Sequence, residues 1–463
     1  MLSTKRSGTN CNGTAFKFQI SFASISIAFA RTSAESQERS LLKLLLLAGP
    51  GLPHVLRRGE VACRKRPLRA NSRLSQRMVQ GMRRLKQGLT AITLVFGIAA
   101  AAQAQQPSAA GVAERYSEGN LPLESGQVIK DFSISYGTHG TLNATKSNAI
   151  LMVTAIGGNH HRLDYLIGPG KALDTDKYFI ITTDAIGNGL TTSPSNSVAQ
   201  PGMSFPHFLI RDMVNSEYRL VTGKFGITHL FAVVGASMGG MQTLQWGVSH
   251  PDMMDALVPI VPLGRTPAWT KAVLDLTRQE IMSDPAWDNG NYQQNQPPQE
   301  GMRLWAGTMA LITRTPQLLR NTMPKSDDAK SWLAKTEDDG WKNFDARNWV
   351  YQTWAYDAHD IGTTPGLNGD YHQALRSIRA RTLILAGVGD LLNPEAEAVE
   401  AARYIHGAQF ETIEPRWPSG HFSAAGVTQP EVDFQNQAIG AFLTKVYASR
   451  DANDVRQAAA NAQ

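Results

Sequence analysis

The sequence predicts an α/β fold, a mostly parallel sheet with helices on both faces and a helical segment inserted into it. Three observations point there. Short, continuously apolar runs at 149–154, 178–183, 229–234, 256–260 and 381–386 alternate with stretches of helical period, the rhythm of buried parallel strands joined by crossover helices. That rhythm stops at Pro262 and resumes near Arg381, and seven of the nine tryptophans fall in the gap, from Trp269 to Trp354. The gap is therefore read as a separate aromatic helical unit. Third, the run ending at Val234 breaks at once into Gly235-Ala-Ser237-Met-Gly239. This G-x-S-x-G turn lifts a serine hydroxyl above a sheet, between a strand and a helix.

The chain has 463 residues, with 42% hydrophobic and 18% charged residues, the composition of a soluble globular protein with room for one large domain and an insertion. Residues 1–81 are basic, rich in Ser, Arg and Leu, and without a sustained period; they are read as an extension outside the mature protein. At 82–104, Met82-Arg-Arg-Leu-Lys opens a basic segment, an uncharged apolar run follows, and Ala102-Gln-Ala104 ends it. This is the layout of a secretory signal, too short for a stable membrane span, so the expected location is periplasmic or secreted. The expected start codon is Met78 or Met82. The net charge of +6 is concentrated here: residues 105–463 carry 28 Lys/Arg against 36 Asp/Glu. An acidic body excludes nucleic acid as the expected partner. Both cysteines, Cys11 and Cys63, fall in the extension, leaving the body without a disulfide framework, a cysteine metal site or a thiol nucleophile.

In order, residues 105–125 are read as a disordered lead-in, small and polar through 117. Alternation at 128–136 suits an outer antiparallel strand. The buried strand at 149–154 ends in Ala155-Ile-Gly-Gly-Asn159, and that at 178–183 in Asp184. Residues 206–221 have helical spacing and lead into the strand that carries the serine turn, with a helix expected from 238 to 249. The expected core spans 126–265 and 378–450, with the helical cap at 266–377. Past the strand at 381–386 come Gly387-Val-Gly-Asp390, a helix at 395–406, a strand at 409–413, the loop holding His421 and a closing helix at 432–448. Residues 451–463 read as a flexible tail.

A serine hydroxyl needs a base to take its proton, and that base needs an acid to orient it. In α/β-hydrolases the three follow in the order Ser, Asp/Glu, His, each on a loop at the C-terminal edge of a strand. Ser237, Asp390 and His421 fill those places. Glycine is required two residues either side of Ser237, where a side chain would strike the neighbouring strand or helix. The N–H of Met238, at a helix N-terminus, suits an oxyanion; the second donor belongs to the turn after the earlier strand, at Ala155-Ile156-Gly157. Other features are weaker. His160-His161 with Asp164 lacks a third ligand at recognisable spacing, and the two rings are expected to point apart. Gly387-x-Gly389 lacks the rest of a dinucleotide fingerprint. Asp184 precedes Ser237 and is out of order. Nothing calls for a cofactor or a metal.

Leu166-Ile-Gly-Pro-Gly-Lys-Ala-Leu-Asp-Thr-Asp-Lys-Tyr-Phe179, Phe205-Pro-His-Phe-Leu-Ile-Arg-Asp-Met-Val214 and Gly235-Ala-Ser-Met-Gly-Gly-Met-Gln242 resemble the homoserine O-acetyltransferase family of α/β-hydrolase-fold enzymes, over roughly residues 120–445. The resemblance implies that Ser237 carries an acyl group from a small-molecule donor, that Asp390 and His421 complete a triad, and that Met238 and Ile156 supply oxyanion N–H groups. It also implies a homodimer joined through the cap. Two departures stand out. The family's catalytic histidine is followed by an aspartate that helps hold homoserine, and here Phe422 follows His421. The family's cap-helix arginine, which binds the amino-acid carboxylate, has no counterpart at the matching place in Trp305-Ala-Gly-Thr-Met-Ala-Leu-Ile-Thr313; Arg303 and Arg314 are nearby but do not align. Losing both anchors favours a serine hydrolase acting on an ester or related acyl bond, with water as acceptor. The alternatives are an O-acyltransferase using the same acyl-enzyme and a non-catalytic binding protein that kept the fold.

Overall fold

An eight-stranded sheet forms because its central strands are apolar on both sides and can be covered on both. The structure, a computed structural model, describes residues 113–323, 325–414 and 418–461. The basic extension, the 82–104 signal and both cysteines lie outside the described residues. The strands are β1 (Glu114–Pro122), β2 (Val128–His139), β3 (Ala149–Val153), β4 (Phe179–Thr183), β5 (Leu230–Ala236), β6 (Met254–Ile260), β7 (Arg381–Gly387) and β8 (Gln409–Ile413). Their order is β1-β2-β4-β3-β5-β6-β7-β8. β1–β2 and β2–β4 pair antiparallel, and all other pairs are parallel. The middle strands β3 and β5 are buried along their whole length, as a strand with a packed layer on each face must be.

Period-2 alternation divides the core between those faces. Leu151 and Val153 of β3 and Val233 of β5 point to one side, where they meet α1 (Ile210–Arg219) and α2 (Met238–Ser249). Ile150, Met152, Ala232 and Val234 point to the other, against Ile439, Phe442 and Leu443 of the closing helix. Between β6 and β7 the chain runs through helices only: α3 (Ala268–Met282), α4 (Gln299–Ile312), α5 (Pro316–Thr322), α6 (Asp328–Asp339), α7 (Ala346–Asp357) and α8 (Tyr371–Ser377), with short 3₁₀ turns. Then follow α9 (Glu395–Tyr404) and the closing helix α10 (Gln429–Asn461).

Three elements differ from expectation. Part of the expected disordered lead-in is strand β1, paired with β2 from Glu114 to Pro122. Tertiary pairing supplies what local composition lacks, and Leu121 is fully buried. The helix expected from residue 206 begins at Ile210, because the Asp212 carboxylate accepts from the Leu209 N–H at 2.8 Å and sets the first turn there; it ends in a π turn at Leu220–Lys224. The closing helix continues to Asn461 through the expected tail, whose Gln-Ala-Ala-Ala run has high helix propensity. Among the described residues no helix is long and apolar enough to cross a membrane.

Candidate active site

The strand-to-helix turn at Ser237 is tight enough to force its own composition. Ser237 has φ 58° and ψ −120°, a region that costs a non-glycine residue on the order of 1–3 kcal/mol and persists only where the surroundings hold it. Here its N–H donates to the Ile260 carbonyl at 2.9 Å. A Cβ on Gly235 would lie 2.4 Å from the Gly239 carbonyl oxygen and 2.6 Å from Val153 Cγ2; one on Gly239 would lie 2.4 Å from the Val153 carbonyl oxygen. Both glycines are thus required by the neighbouring strand and helix.

His421 sits in a 3₁₀ turn, Gly420–Ala425, after β8. Gly420, at φ +71°, turns the chain with its N–H on the Val388 carbonyl. Asp390 follows β7 and is buried. The structure brings the three residues together: His421 Nε2 is 2.8 Å from Ser237 Oγ, and His421 Nδ1 is 2.7 Å from Asp390 Oδ2. The other Asp390 oxygen accepts from the N–H groups of Leu392 and Asn393, each at 2.8 Å. A carboxylate so held presents one oxygen to the imidazole and fixes the tautomer with the proton on Nδ1.

Met238 is the first residue of α2, where backbone N–H groups lack intrahelical acceptors. Ile156 lines the same cavity as Ser237 and His421, which encloses about 420 Å³. The next N–H along, that of Gly157, is committed to Gln352 Oε1 at 2.9 Å. The far wall comes from the helical insertion: Trp305, Met309 and Ala310 of α4, Phe344, and Trp349 of α7. Trp305 packs edge-on against Trp349 and Phe344, with centroids 4.7 and 5.0 Å apart. Phe422 joins the lining, and its N–H donates to the Thr313 carbonyl at 2.9 Å, tying the histidine loop to the end of α4.

Several participants carry no sequence signal of their own. Tyr356 on α7 is fully buried; its hydroxyl donates to Asn393 Oδ1 at 2.6 Å and lies within reach of Ser237, and burial pushes its pKa well above the usual tyrosine range. Asn393 in turn donates its side-chain amide to the Val261 carbonyl at 2.7 Å. Val261 has φ +42°, an outlier for a β-branched residue, so this bond clamps a strained corner beside the acid loop. Arg162, on the loop after β3, lines the cavity, as does Arg314. Arg303 points away, to Glu300 and Asp338.

The two adjacent histidines do not point apart as expected. Their ring centroids are 4.2 Å apart because each is drawn to its own carboxylate, His160 to Asp184 at 2.8 Å and His161 to Asp164 at 3.0 Å. Asp184 is a buried structural node, accepting also from Ser135 Oγ and Asn188 Nδ2.

Comparison with known proteins adds the following. Residues 148–423 match the model of the alpha/beta hydrolase fold family. A homoserine O-acetyltransferase of Leptospira biflexa serovar Patoc is 35% identical over 340 residues, covering 66% of this chain and 87% of that relative. Among solved structures, an acetylester hydrolase from Corynebacterium glutamicum superimposes with TM-score 0.68 at 30% identity, over 72% of this chain and 96% of that one. A homoserine O-acetyltransferase from Bacillus anthracis gives TM-score 0.65 at 24% identity, over 72% and 97%, a likeness of fold.

Proposed function

Because the chain belongs to the homoserine O-acetyltransferase-like family of the α/β-hydrolase superfamily, and is an enzyme of that fold, we propose that it is a serine hydrolase cleaving an ester or related acyl bond through an acyl-Ser237 intermediate. Ser237 Oγ gives its proton to His421 Nε2 as it attacks the carbonyl, and Asp390 stabilises the imidazolium that forms. The oxyanion is held by the N–H groups of Met238 and Ile156. As the tetrahedral adduct collapses, His421 returns the proton to the departing alcohol oxygen. Water then enters, loses a proton to His421, and releases the acid with Ser237 restored.

The observation that carries the choice of acceptor is Phe422. It lines the cavity directly after His421, and among the described residues no Asp or Glu lines that cavity, so an acceptor ammonium finds no counter-charge among them. An unpaired buried charge costs several kcal/mol. The acetylester hydrolase neighbour, at 30% identity, supports the same reading. A second reading, O-acyl transfer to an alcohol such as homoserine, is favoured by the curated relatives at 35% identity. The same proposal includes action outside the cytoplasm, supported by the signal-like 82–104 segment; N-terminal sequencing of the exported protein should begin at Gln105.

A fluorophosphonate probe with p-nitrophenyl acetate turnover tests the chemistry. Labelling that survives in Ser237→Ala would refute the nucleophile. Homoserine-dependent acetyl transfer from acetyl-CoA, exceeding hydrolysis, would replace the first reading by the second.

A further inference from the structure

Arginines of the folded body are for the most part paired. Arg211, Arg219, Arg265, Arg278, Arg303 and Arg347 each meet a carboxylate. The two that line the Ser237 cavity do not. Among the described residues the Arg162 guanidinium has no hydrogen bond or ion pair, and burial pulls its pKa down. Arg314, just past the end of α4, sits over Phe422 with Cζ 3.9 Å from the ring centroid, and its Nη1 donates to the Ala310 carbonyl of α4 at 3.0 Å and lies near Thr313 Oγ1 at 3.4 Å. A guanidinium has five N–H donors in a fixed fork. Stacking occupies its face and Nη1 is engaged, so Nε and Nη2 remain for a carboxylate. Trp305, 3% exposed and part of the same wall, buries an indole N–H with no acceptor among the described residues. Two half-buried cations and an orphan donor share a cavity whose other lining is mostly apolar, with Thr313 and Thr336 besides Ser237 and His421, and among the described residues no carboxylate lines it. Such an arrangement is costly when empty and favours an anion.

We infer that the cavity is a binding site for a monoanionic ester: Arg162 and Arg314 receive a carboxylate on the substrate while its ester carbonyl lies at Ser237. This rests on the hydrolase reading and deepens it by naming the substrate class. With no carboxylate lining the cavity among the described residues, this substrate is set apart from a zwitterion, whose ammonium would be stranded. The carboxylate can belong to the acyl half, as in monoethyl succinate, or to the alcohol half, as in 3-acetoxypropanoate. The arginines read the same group in either case.

The test uses the mature chain with three esters: monoethyl succinate, 3-acetoxypropanoate and neutral ethyl butyrate. The expected result is a kcat/KM for one anionic ester at least tenfold above that for the neutral one. That ratio should fall about tenfold or more in Arg162→Met and in Arg314→Met, chiefly through KM. The anionic ester preferred identifies the half that carries the charge. Turnover of ethyl butyrate with no anionic preference would overturn the anion site and leave the hydrolase reading intact. If no ester is turned over, the hydrolase reading fails, and calorimetry of glutarate with Ser237→Ala decides the site by itself. Binding that disappears in Ser237→Ala/Arg162→Met and in Ser237→Ala/Arg314→Met upholds the site, and absence of binding to Ser237→Ala overturns it.

Discussion

The cavity has a floor and a roof built by different physics. The floor is the C-terminal edge of β5 and β7 with the loop after β8, and main-chain hydrogen bonds locate its groups: Ser237 N–H on Ile260, Asp390 on two loop N–H groups, Gly420 on Val388. The roof is the helical insertion, where Trp305, Phe344 and Trp349 are held by edge-to-face ring packing. Backbone-located groups cannot drift without breaking the sheet, whereas packed rings can be exchanged for others of similar volume. On the proposed function, the floor would keep the chemistry and the roof would set specificity.

The sharpest way to break that division is to disable the floor and look for residual activity. Ser237→Ala should lower kcat for p-nitrophenyl acetate by at least ~10³-fold, since loss of a triad nucleophile removes everything but binding and oxyanion stabilisation. A fall of less than tenfold would mean the reaction runs elsewhere. Asp390→Asn comes next. It keeps the loop hydrogen bonds but lets the imidazole turn to the wrong tautomer, so kcat should fall by about 10²–10⁴ with the circular dichroism spectrum unchanged. If the fall is no larger than that of a roof variant, floor and roof are not distinct.

The roof should answer differently. Phe344→Ala opens the wall of the cavity that holds Ser237 and should move the preference among p-nitrophenyl acetate, butyrate and hexanoate toward the longer chains by about tenfold in kcat/KM, on the scale of a few methylenes in an apolar pocket. The rate with acetate should change far less than in Asp390→Asn. A uniform loss across chain lengths would show instead that Phe344 supports the floor.

The same division explains what could be read from the residues beforehand. The parallel strands, the glycines around Ser237 and the order of Ser237, Asp390 and His421 are written locally, because strand runs and strained turns demand particular residue types. Arg162 is not written that way: it follows a pair of histidines that draw attention as metal ligands, and only the packing of the loop after β3 turns it into the cavity. Tyr356 is equally silent, one aromatic among many in the insertion until α7 packs beside Asn393. β1 was missed for a related reason, since an edge strand gains most of its order from its partner.

The junction of floor and roof offers the smallest and most specific test. His359 lies where the insertion returns to the sheet. Its Nε2–H donates to the Leu263 carbonyl at 3.2 Å, and its own carbonyl accepts from Thr266 N–H at 2.9 Å. Burial holds its pKa down at about 3, with nearby Arg211 acting the same way and the Leu263 bond opposing them, against an ordinary value of 6.5. Between those values the unfolded chain binds a proton that the folded chain refuses. Stability therefore rises with pH across this window and is lost as pH falls below about 6.5. At pH 5 the expected loss from this one group is about 2 kcal/mol relative to pH 8. His359→Gln keeps a donor for Leu263 but does not titrate. Its urea midpoint should fall less steeply from pH 8 to 5 than that of the unmodified protein, and equal slopes for the two would mean that the junction does not sense protons. If tryptophan fluorescence in the unmodified protein, which comes chiefly from the seven tryptophans of the insertion, changes at a higher pH than the β-sheet signal, the insertion detaches before the sheet unfolds, as a roof held by side-chain packing should.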